Sequence, residues 1–155
     1  KLNRRNDWDY NKPGWYFVTV CSWRMNMCFG EIVEDNFLPN KYGRIVNDQW
    51  LWMIDHFDGL GKDEYVVMPN HVHGLINIVG TGLDLSLLDT NISKLIGAFK
   101  TTSSIKIHQS GFKDFRWHRS FYDRIVRNQS ELERIRKYIK DNPKNWNKDK
   151  NNPNL

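Results

Sequence analysis

Residues 64–79 read EYVVMPNHVHGLINIV, two β-branched apolar segments that are joined at Pro69-Asn70. Valine, isoleucine and tyrosine favour strands, and a proline-asparagine pair is typical of a turn or bulge, so we predict two adjacent strands here. Side chains alternate along a strand, which places His71 and His73 on one face and Val72 on the other. Two imidazoles on one face form half of a site for a divalent metal.

The segments on either side predict the order of the remaining elements. Apolar and aromatic runs predict a strand over residues 15–21, a shorter strand over 28–33 and strand character over 115–126. Helical spacing predicts helices over 42–54, from 92 onward after a cap at 91, and over 129–141, with loops over 36–40 and 80–90. The order β-α-β-β-α-β-α predicts an α+β fold of the ferredoxin-like or RRM-like sandwich type. Its sheet would be mainly antiparallel with four to five strands, with helices on one face and a further C-terminal helix.

Length and composition fit one folded domain. The chain has 155 residues, of which 39% are hydrophobic, and we expect a single domain with residues 1–12 and 147–155 flexible because they are polar. No apolar run is long enough to span a bilayer, and Cys21 and Cys28 form no metal or redox motif. We therefore expect a cytoplasmic protein with no membrane partner. The net charge of +5 favours a polyanionic partner.

A motif near the C-terminus, Tyr138-Ile139-Lys140-Asp141-Asn142-Pro143, carries the other candidate functional groups. Tyr138 and Asn142 are four residues apart, so they lie on one helical face about a turn apart. This spacing allows the phenol of Tyr138 to lie beside a metal while the Asn142 amide oxygen supplies a third ligand. Imidazoles with oxygen ligands suit Mg²⁺ or Mn²⁺ when phosphate oxygens complete the coordination shell.

Four motifs together resemble one known family. They are Trp15-Tyr16-Phe17-Val18-Thr19, Met68-Pro69-Asn70-His71-Val72-His73, the run of residues 117–127 (WHRSFYDRIVR) and Tyr138-Ile139-Lys140-Asp141-Asn142-Pro143. In this order and spacing the chain resembles the REP-associated tyrosine transposases, which belong to the small single-tyrosine HUH transposases. The resemblance extends from about residue 8 to residue 146. His118 and Arg124 depart from it, because the family commonly has glutamine and often histidine there, and neither position is expected to be catalytic.

The resemblance implies a transposase that cleaves and rejoins single-stranded or hairpin DNA through a covalent 5′-phosphotyrosine. Carried over residue by residue, it implies that Tyr138 is the catalytic nucleophile. It also implies that His71, His73 and Asn142 hold the divalent metal, Mg²⁺ or Mn²⁺. Such a protein would be nucleoid-associated when bound to DNA, and the length of the segment between Val126 and Tyr138 is compatible with a monomer or a homodimer.

Basic and aromatic residues on the second helix and in the 115–127 segment are candidates for DNA contact. Arginines interleaved with aromatic rings suit phosphate binding and base stacking, although an amphipathic strand with its polar face in water explains the same pattern equally well. The candidates are Lys94, Lys100, Arg116, Trp117, Arg119, Arg124 and Arg127.

Other interpretations of the motifs stay open. A His-X-His pair on a strand is more often structural than metal-binding, and Tyr122 is a competing nucleophile by its position in a motif. At the level of function, one alternative is a non-catalytic nucleic-acid-binding regulator on the same fold. Another is an HUH replication or mobilisation initiator. A third is a metal-dependent phosphohydrolase that uses water, which would not need Tyr138.

Overall fold

The computed structural model of the protein describes residues 13–79 and 91–155. Its strands are β1 (Gly14–Cys21), β2 (Gly30–Val33), β3 (Asn36–Pro39), β4 (Leu60–Gly61), β5 (Tyr65–Met68), β6 (His71–Ile78) and β7 (Tyr122–Ile125). Its helices are α1 (Lys41–His56), α2 (Ile92–Gln109) and α3 (Gln129–Lys140), with short 3₁₀ turns at Trp23–Met25 and Trp146–Lys148. Among these residues, no helix is both long enough and apolar enough to cross a membrane.

Each of the three helices begins after an asparagine. The side chains of Asn40, Asn91 and Asn128 accept hydrogen bonds from backbone N–H groups in the first turns of α1, α2 and α3, respectively. An asparagine at this position satisfies donors that have no partner inside the helix, which is why the cap predicted at Asn91 is found.

The main sheet is antiparallel, with β1 and β6 at its centre. β7 pairs with the outer edge of β1, while β5 and β4 pair with successive parts of the outer edge of β6. The ferredoxin-like arrangement predicted from the sequence is thereby confirmed. The register places His73 opposite Thr19 of β1, and His71 opposite Cys21.

Helices α1 and α2 cover one face of this sheet. Tyr16, Val18 and Val72 point to that face and are fully buried in the main core. Gly74 allows α1 to approach closely, because a Cβ atom at this position would lie only 2.2 Å from the ring of Trp50. One face of β1 and β6 therefore packs into the main core, and the side chains on the opposite face do not take part in it.

Helix α3 packs on the opposite face of the sheet. Its Leu132 and Ile139 are buried in a second cluster with Leu75 of β6. Because side chains alternate along β6, Leu75 shares its face with His71 and His73. The C-terminal helix and the two histidines therefore meet on the same side of the sheet.

Two segments differ from the sequence-based expectation. The predicted loop at residues 36–40 contains β3, which pairs with β2 in a hairpin. Glu34 and Asp35 both adopt a positive φ (49° and 64°), the backbone of a two-residue hairpin turn that twists with its strands. Within residues 115–126, only Tyr122–Ile125 forms a strand. The predicted loop over 80–90 and the expected flexibility of 1–12 concern residues outside those that the structure describes.

The C-terminal segment, residues 144–155, packs against the sheet, whereas residues 147–155 were expected to be flexible. Trp146 is buried, and Asp149 and Asn152 are 9% and 8% exposed. The Asn152 side chain donates to the Trp146 carbonyl, and the Asp149 carboxylate accepts from the backbone N–H of Asn151. Local side-chain bonds of this kind let a polar, asparagine-rich segment adopt a defined turn.

Candidate active site

The two histidines of β6 are buried side by side. His71 is fully buried and His73 is 3% exposed, with their ring centroids 4.4 Å apart. The Nδ1 atom of His71 is hydrogen-bonded to the Asn70 side-chain oxygen at 2.7 Å, and Nδ1 of His73 to the Thr19 hydroxyl at 2.8 Å. Both Nε2 atoms are buried and have no protein partner. A buried polar atom without a partner is costly, so each Nε2 is a candidate metal ligand.

Burial keeps both histidines neutral near pH 7. It lowers the pKa of His71 to about 4, and the nearby Asp149 carboxylate and Asn142 amide oppose this shift only in part. Burial also lowers the pKa of His73 well below its usual value, and the charges of His71 and Lys150 act in the same direction. A neutral imidazole carries a lone pair on one ring nitrogen, which is the form that binds a metal.

Tyr138 and Asn142 reach the histidines from the end of α3. The ring centroid of Tyr138 lies 5.4 Å from that of His73, and 44% of the Tyr138 residue is exposed. Asn142 is 2% exposed, and its side-chain oxygen is buried without a partner. Burial raises the pKa of the Tyr138 phenol, while the Asn142 amide acts against that shift and the Asp149 charge adds to it. The structure thus brings together the four residues that the motifs singled out.

An ion pair anchors α3 to the sheet near its tyrosine. Arg136 donates from Nε and Nη2 to the two carboxylate oxygens of Asp63, at 2.9 and 2.7 Å, and the Trp15 indole donates to the same carboxylate at 2.9 Å. The Asp63 side chain is only 6% exposed, and hydrogen bonds from Arg136, Glu64 and Trp15 lower its pKa against the effect of burial. A bidentate pair of this geometry fixes direction as well as distance.

Three residues that the sequence analysis did not assign to the site also belong to it. Thr19 and Asn70 bond the Nδ1 atoms of the histidines, and Asp149 places a carboxylate oxygen within 4.8 Å of a nitrogen of each histidine. Asn70 lies within the histidine motif but was interpreted only as a turn residue. Thr19 and Asp149 are distant in sequence, and only the strand register and the packing of the C-terminal segment reveal them.

The donor atoms present fit a divalent cation. Besides the Asn151 amide nitrogen, the buried side-chain atoms without a partner in the described part of the chain are two imidazole nitrogens and one amide oxygen, and the Asp149 carboxylate lies beside the two imidazoles. Burying three such atoms together without partners is unfavourable unless a cation or a ligand satisfies them. Oxygen donors combined with imidazole suit Mn²⁺, and Mg²⁺ when water and phosphate complete its shell.

A cleft of about 660 Å³ opens over this site. It is lined by Phe17, Thr19, His73, Tyr122, Arg124, Tyr138 and Lys150, among others. Tyr122, the competing nucleophile, therefore also faces the cleft and is 51% exposed. It follows that only an experiment with separate variants distinguishes the two tyrosines.

The seven candidate DNA contacts have different environments. Arg124 lines the cleft and pairs with Glu131, which also accepts from the backbone N–H of Arg127. Lys94, Arg119 and Arg127 are exposed. The exposed Arg116 places its guanidinium 4.6 Å from the centre of the Trp23 ring.

Two of these candidates serve the fold itself. Lys100 donates to the backbone carbonyl of His118 at 2.8 Å and to the next two carbonyls at longer range, so its ammonium group is occupied. Trp117 is 8% exposed, its ring packs against Phe29 and Phe99, and its indole donates to Ser103 at 3.0 Å. A base-stacking role needs an exposed ring face, so the stacking interpretation of Trp117 is wrong and the residue belongs to the core.

The family model for IS200-like transposases matches residues 61–142, which span β4 to the end of α3 and include His71, His73, Tyr138 and Asn142. This match covers more than half of the chain. The chain belongs to the IS200-like transposase family. The resemblance drawn from the motifs is thereby confirmed at the level of the transposase family.

Other proteins share the sequence or the fold of this IS200-like transposase. An uncharacterized protein of Haemophilus influenzae is 29% identical over 161 residues, covering 94% of this chain and 89% of that protein. The structure of a REP-associated tyrosine transposase bound to a REP hairpin has a TM-score of 0.65 at 19% identity, covering 92% of this chain and 74% of that chain. A crystal structure of a transposase candidate from Deinococcus radiodurans R1 has a TM-score of 0.51 at 16% identity, covering 90% and 96% of the two chains. At these identities the two structures show a shared fold.

Proposed function

We propose that this transposase is a metal-dependent single-stranded DNA endonuclease and strand transferase that acts on hairpin DNA through a covalent 5′-phosphotyrosine. The observation that carries the proposal is the pair of buried, neutral histidines whose Nε2 atoms lack partners beside the half-exposed Tyr138. A structural histidine pair would have its nitrogens satisfied by the protein. The open cleft, which His73 and Tyr138 help to line, gives a nucleic acid strand access to the tyrosine.

The proposed covalent step is a transesterification at phosphorus. The phenol oxygen of Tyr138 attacks a DNA phosphate, the bond from phosphorus to the 3′ oxygen breaks, and the phenol proton is in net transferred to that oxygen. The products are a 5′-phosphotyrosine and a free 3′-hydroxyl, so the energy of the ester is conserved. Attack by another 3′-hydroxyl on the phosphotyrosine reverses the step and joins new ends, which is strand transfer.

The residues around Tyr138 prepare it for this step. His71, His73 and Asn142 would hold the cation, Mg²⁺ or Mn²⁺, and Asp149 is a further oxygen donor for it. When bound, the cation supplies Lewis acidity that polarises the phosphate and favours attack in line with the leaving oxygen. Since burial raises the pKa of Tyr138, the phenol is protonated at neutral pH and depends on a polarised phosphate.

The partner that we propose is single-stranded or hairpin DNA. The solved relative bound to a REP hairpin supports this choice, and so does the formal net charge of +5. Arg124 and Lys150 line the cleft, which suits phosphate contact, and Arg116 and Arg119 are exposed. Because α3 packs against the sheet of its own chain, the tyrosine and the histidines form one site within a monomer, or within each protomer of a homodimer.

The test uses DNA labelled separately at each end. An oligonucleotide pool with a fixed stem-loop and randomised single-stranded flanks is incubated with the protein and Mn²⁺, then run on a denaturing gel. We expect the 3′-end label to be retained on the protein, because that fragment carries the 5′ phosphate, and the 5′-end label to appear as a free shortened strand. Chelation with EDTA should abolish both products.

Two tyrosine variants separate this mechanism from its alternatives. Tyr138→Phe should eliminate the adduct, while Tyr122→Phe, a matched change in the same cleft, should retain it. Cleavage that persists in Tyr138→Phe without an adduct would favour a hydrolase that uses water. DNA binding with neither cleavage nor adduct would favour the non-catalytic regulator.

A further inference from the structure

Asn70 lies fully buried in the turn between β5 and β6, directly before the first histidine. Its side-chain nitrogen donates to two backbone carbonyls, that of Met25 at 3.3 Å and that of Asn151 at 2.8 Å. A carbonyl oxygen can only accept a hydrogen bond. The atom of Asn70 that faces these two carbonyls must therefore be the amide nitrogen, and the orientation of the amide is fixed.

The orientation of the Asn70 amide determines where His71 carries its proton. With the nitrogen turned to the carbonyls, the Asn70 oxygen faces Nδ1 of His71 at 2.7 Å. An amide oxygen can only accept, so Nδ1 must be the protonated nitrogen of the neutral ring. The lone pair is then on Nε2, the atom that is buried without a partner.

The surrounding backbone holds the Met25 carbonyl in place. The Met25 carbonyl belongs to the 3₁₀ turn at Trp23–Met25, where Arg24 and Met25 both adopt a positive φ (53° and 56°). Two consecutive non-glycine residues in this conformation are unusual and persist where neighbouring contacts enforce them. The Ser22 N–H donates to the Asn70 carbonyl at 2.9 Å, which ties the start of this turn to Asn70.

His73 has no equivalent constraint. Its Nδ1 atom pairs with the hydroxyl of Thr19, which can donate or accept, so this contact is compatible with either neutral form of the ring. The protein therefore fixes which ring nitrogen carries the proton in His71, but not in His73.

We propose that Asn70 is a positioning residue that holds His71 in the Nδ1-protonated tautomer, with the lone pair of Nε2 directed at the metal. The role of the lone pair rests on the proposed function, whereas the tautomer itself is a property of the metal-free protein. Partners that fix a ligating histidine typically change metal affinity about 10- to 100-fold when they are removed.

The first test reads the tautomer directly. Long-range ¹H–¹⁵N NMR spectra of the metal-free protein at pH 7.5 distinguish protonated from unprotonated ring nitrogens. We expect Nδ1 of His71 to be protonated in the unmodified protein, and a mixture of tautomers or the Nε2-protonated form in Asn70→Leu. If His71 of the unmodified protein is protonated on Nε2, the proposal is overturned whether or not any variant folds.

The second test measures Mn²⁺ affinity by calorimetry without DNA. We expect Asn70→Leu to bind Mn²⁺ at least about tenfold more weakly. Asn77→Leu, the same change on β6 away from the site, should bind it as the unmodified protein does. Unchanged affinity in a folded Asn70→Leu, verified by circular dichroism, would overturn the positioning role. A failed adduct assay with the expected tautomer and affinity would reject the proposed function and leave this inference standing.

Discussion

The environment of the two histidines explains how they are kept ready for a metal. A solvent-exposed histidine titrates near pH 6.5, so protons compete with metals around neutrality. Burial lowers the pKa of His71 to about 4 and that of His73 well below its usual value. Their lone pairs are therefore available throughout the neutral range, where a metal would compete with few protons.

The lowered pKa values make the stability of the metal-free protein depend on pH. Between the unfolded pKa near 6.5 and the folded value of about 4 for His71, the unfolded chain binds more protons than the folded one. The free energy of unfolding should therefore decrease as the pH falls through this window, by up to about 1.4 kcal/mol per pH unit for each histidine. Urea unfolding in EDTA at several pH values measures this slope.

Matched histidine variants identify the source of the slope. His71→Gln and His73→Gln should each reduce the pH dependence of the free energy of unfolding, because each removes one histidine whose pKa burial lowers. An equal slope in the unmodified protein and in His71→Gln would contradict the assigned pKa.

Asp149 is predicted to contribute a charged ligand. Its carboxylate lies within 4.8 Å of both histidines, and a negative charge beside a divalent cation favours binding. Asp149→Asn should weaken Mn²⁺ binding roughly tenfold in calorimetry. Asp141→Asn, which removes the same charge from a carboxylate that pairs with Lys137 on α3, is the control. Equal affinities of the two variants would show that Asp149 is not a ligand.

Among the elements, α3 decides whether the site is complete, because it carries Tyr138 and leads directly into Asn142. Leu132 and Ile139 bury its apolar side, and Arg136 binds the largely buried Asp63. The helix therefore has both an apolar and an ionic attachment to the sheet within a turn of the tyrosine.

Removing the ion pair between Arg136 and Asp63 should slow formation of the covalent adduct more than it weakens DNA binding. Asp63→Asn loses the charge that receives Arg136 and Trp15, and we expect a loss of about 1–3 kcal/mol in the free energy of unfolding. We also expect slower adduct formation at unchanged hairpin affinity. Glu64→Gln is the matched control, because its 3.4 Å pair with Lys140 is more exposed and should contribute little. A similar loss in both variants would contradict the anchoring role of Asp63.

The segment before β7 shows why the sequence pattern left two interpretations open. An alternation of aromatic and basic residues fits both a DNA-binding strip and a partly buried strand, and the difference depends on what packs against it. Trp117 turns into the core against Phe29 and Phe99, while Arg116 and Arg119 remain exposed. The neighbouring residues that decide between these outcomes come from β2, α2 and the loops around them, which no local pattern indicates.

Because Trp117 is buried and Arg119 is exposed, we expect a change at Trp117 to affect stability and a change at Arg119 to affect DNA binding. Trp117→Ala should lower the free energy of unfolding by about 3–5 kcal/mol, because it leaves a large cavity in the core. Arg119→Ala should leave stability within about 0.5 kcal/mol and weaken hairpin binding instead. Urea unfolding and fluorescence anisotropy measure the two quantities. A stable Trp117→Ala protein with weakened DNA binding would restore the stacking interpretation.

In the whole molecule, one face of the main sheet packs into the hydrophobic core and the other face carries the candidate active site. One face of β1 and β6 is buried under α1 and α2, and the other presents Thr19, His71 and His73 to α3 and the C-terminal segment. The period-2 alternation of β6 and the i, i+4 spacing across the end of α3 are local, so the main order of elements, without β3 and β4, and the four candidate site residues could be predicted from sequence. Thr19 and Asp149 could not, because they join the site only through strand register and through packing of a polar segment without hydrophobic periodicity.

The proposed mechanism requires that Tyr138 become covalently attached to the 5′ phosphate of cleaved DNA. Mass spectrometry of the purified adduct tests it most directly, because trypsin places Tyr122 and Tyr138 in different peptides, residues 120–124 and 138–140. After nuclease trimming, we expect a nucleotide phosphate on the peptide that contains Tyr138. A nucleotide on the peptide that contains Tyr122, or cleavage with no modified peptide, would contradict it.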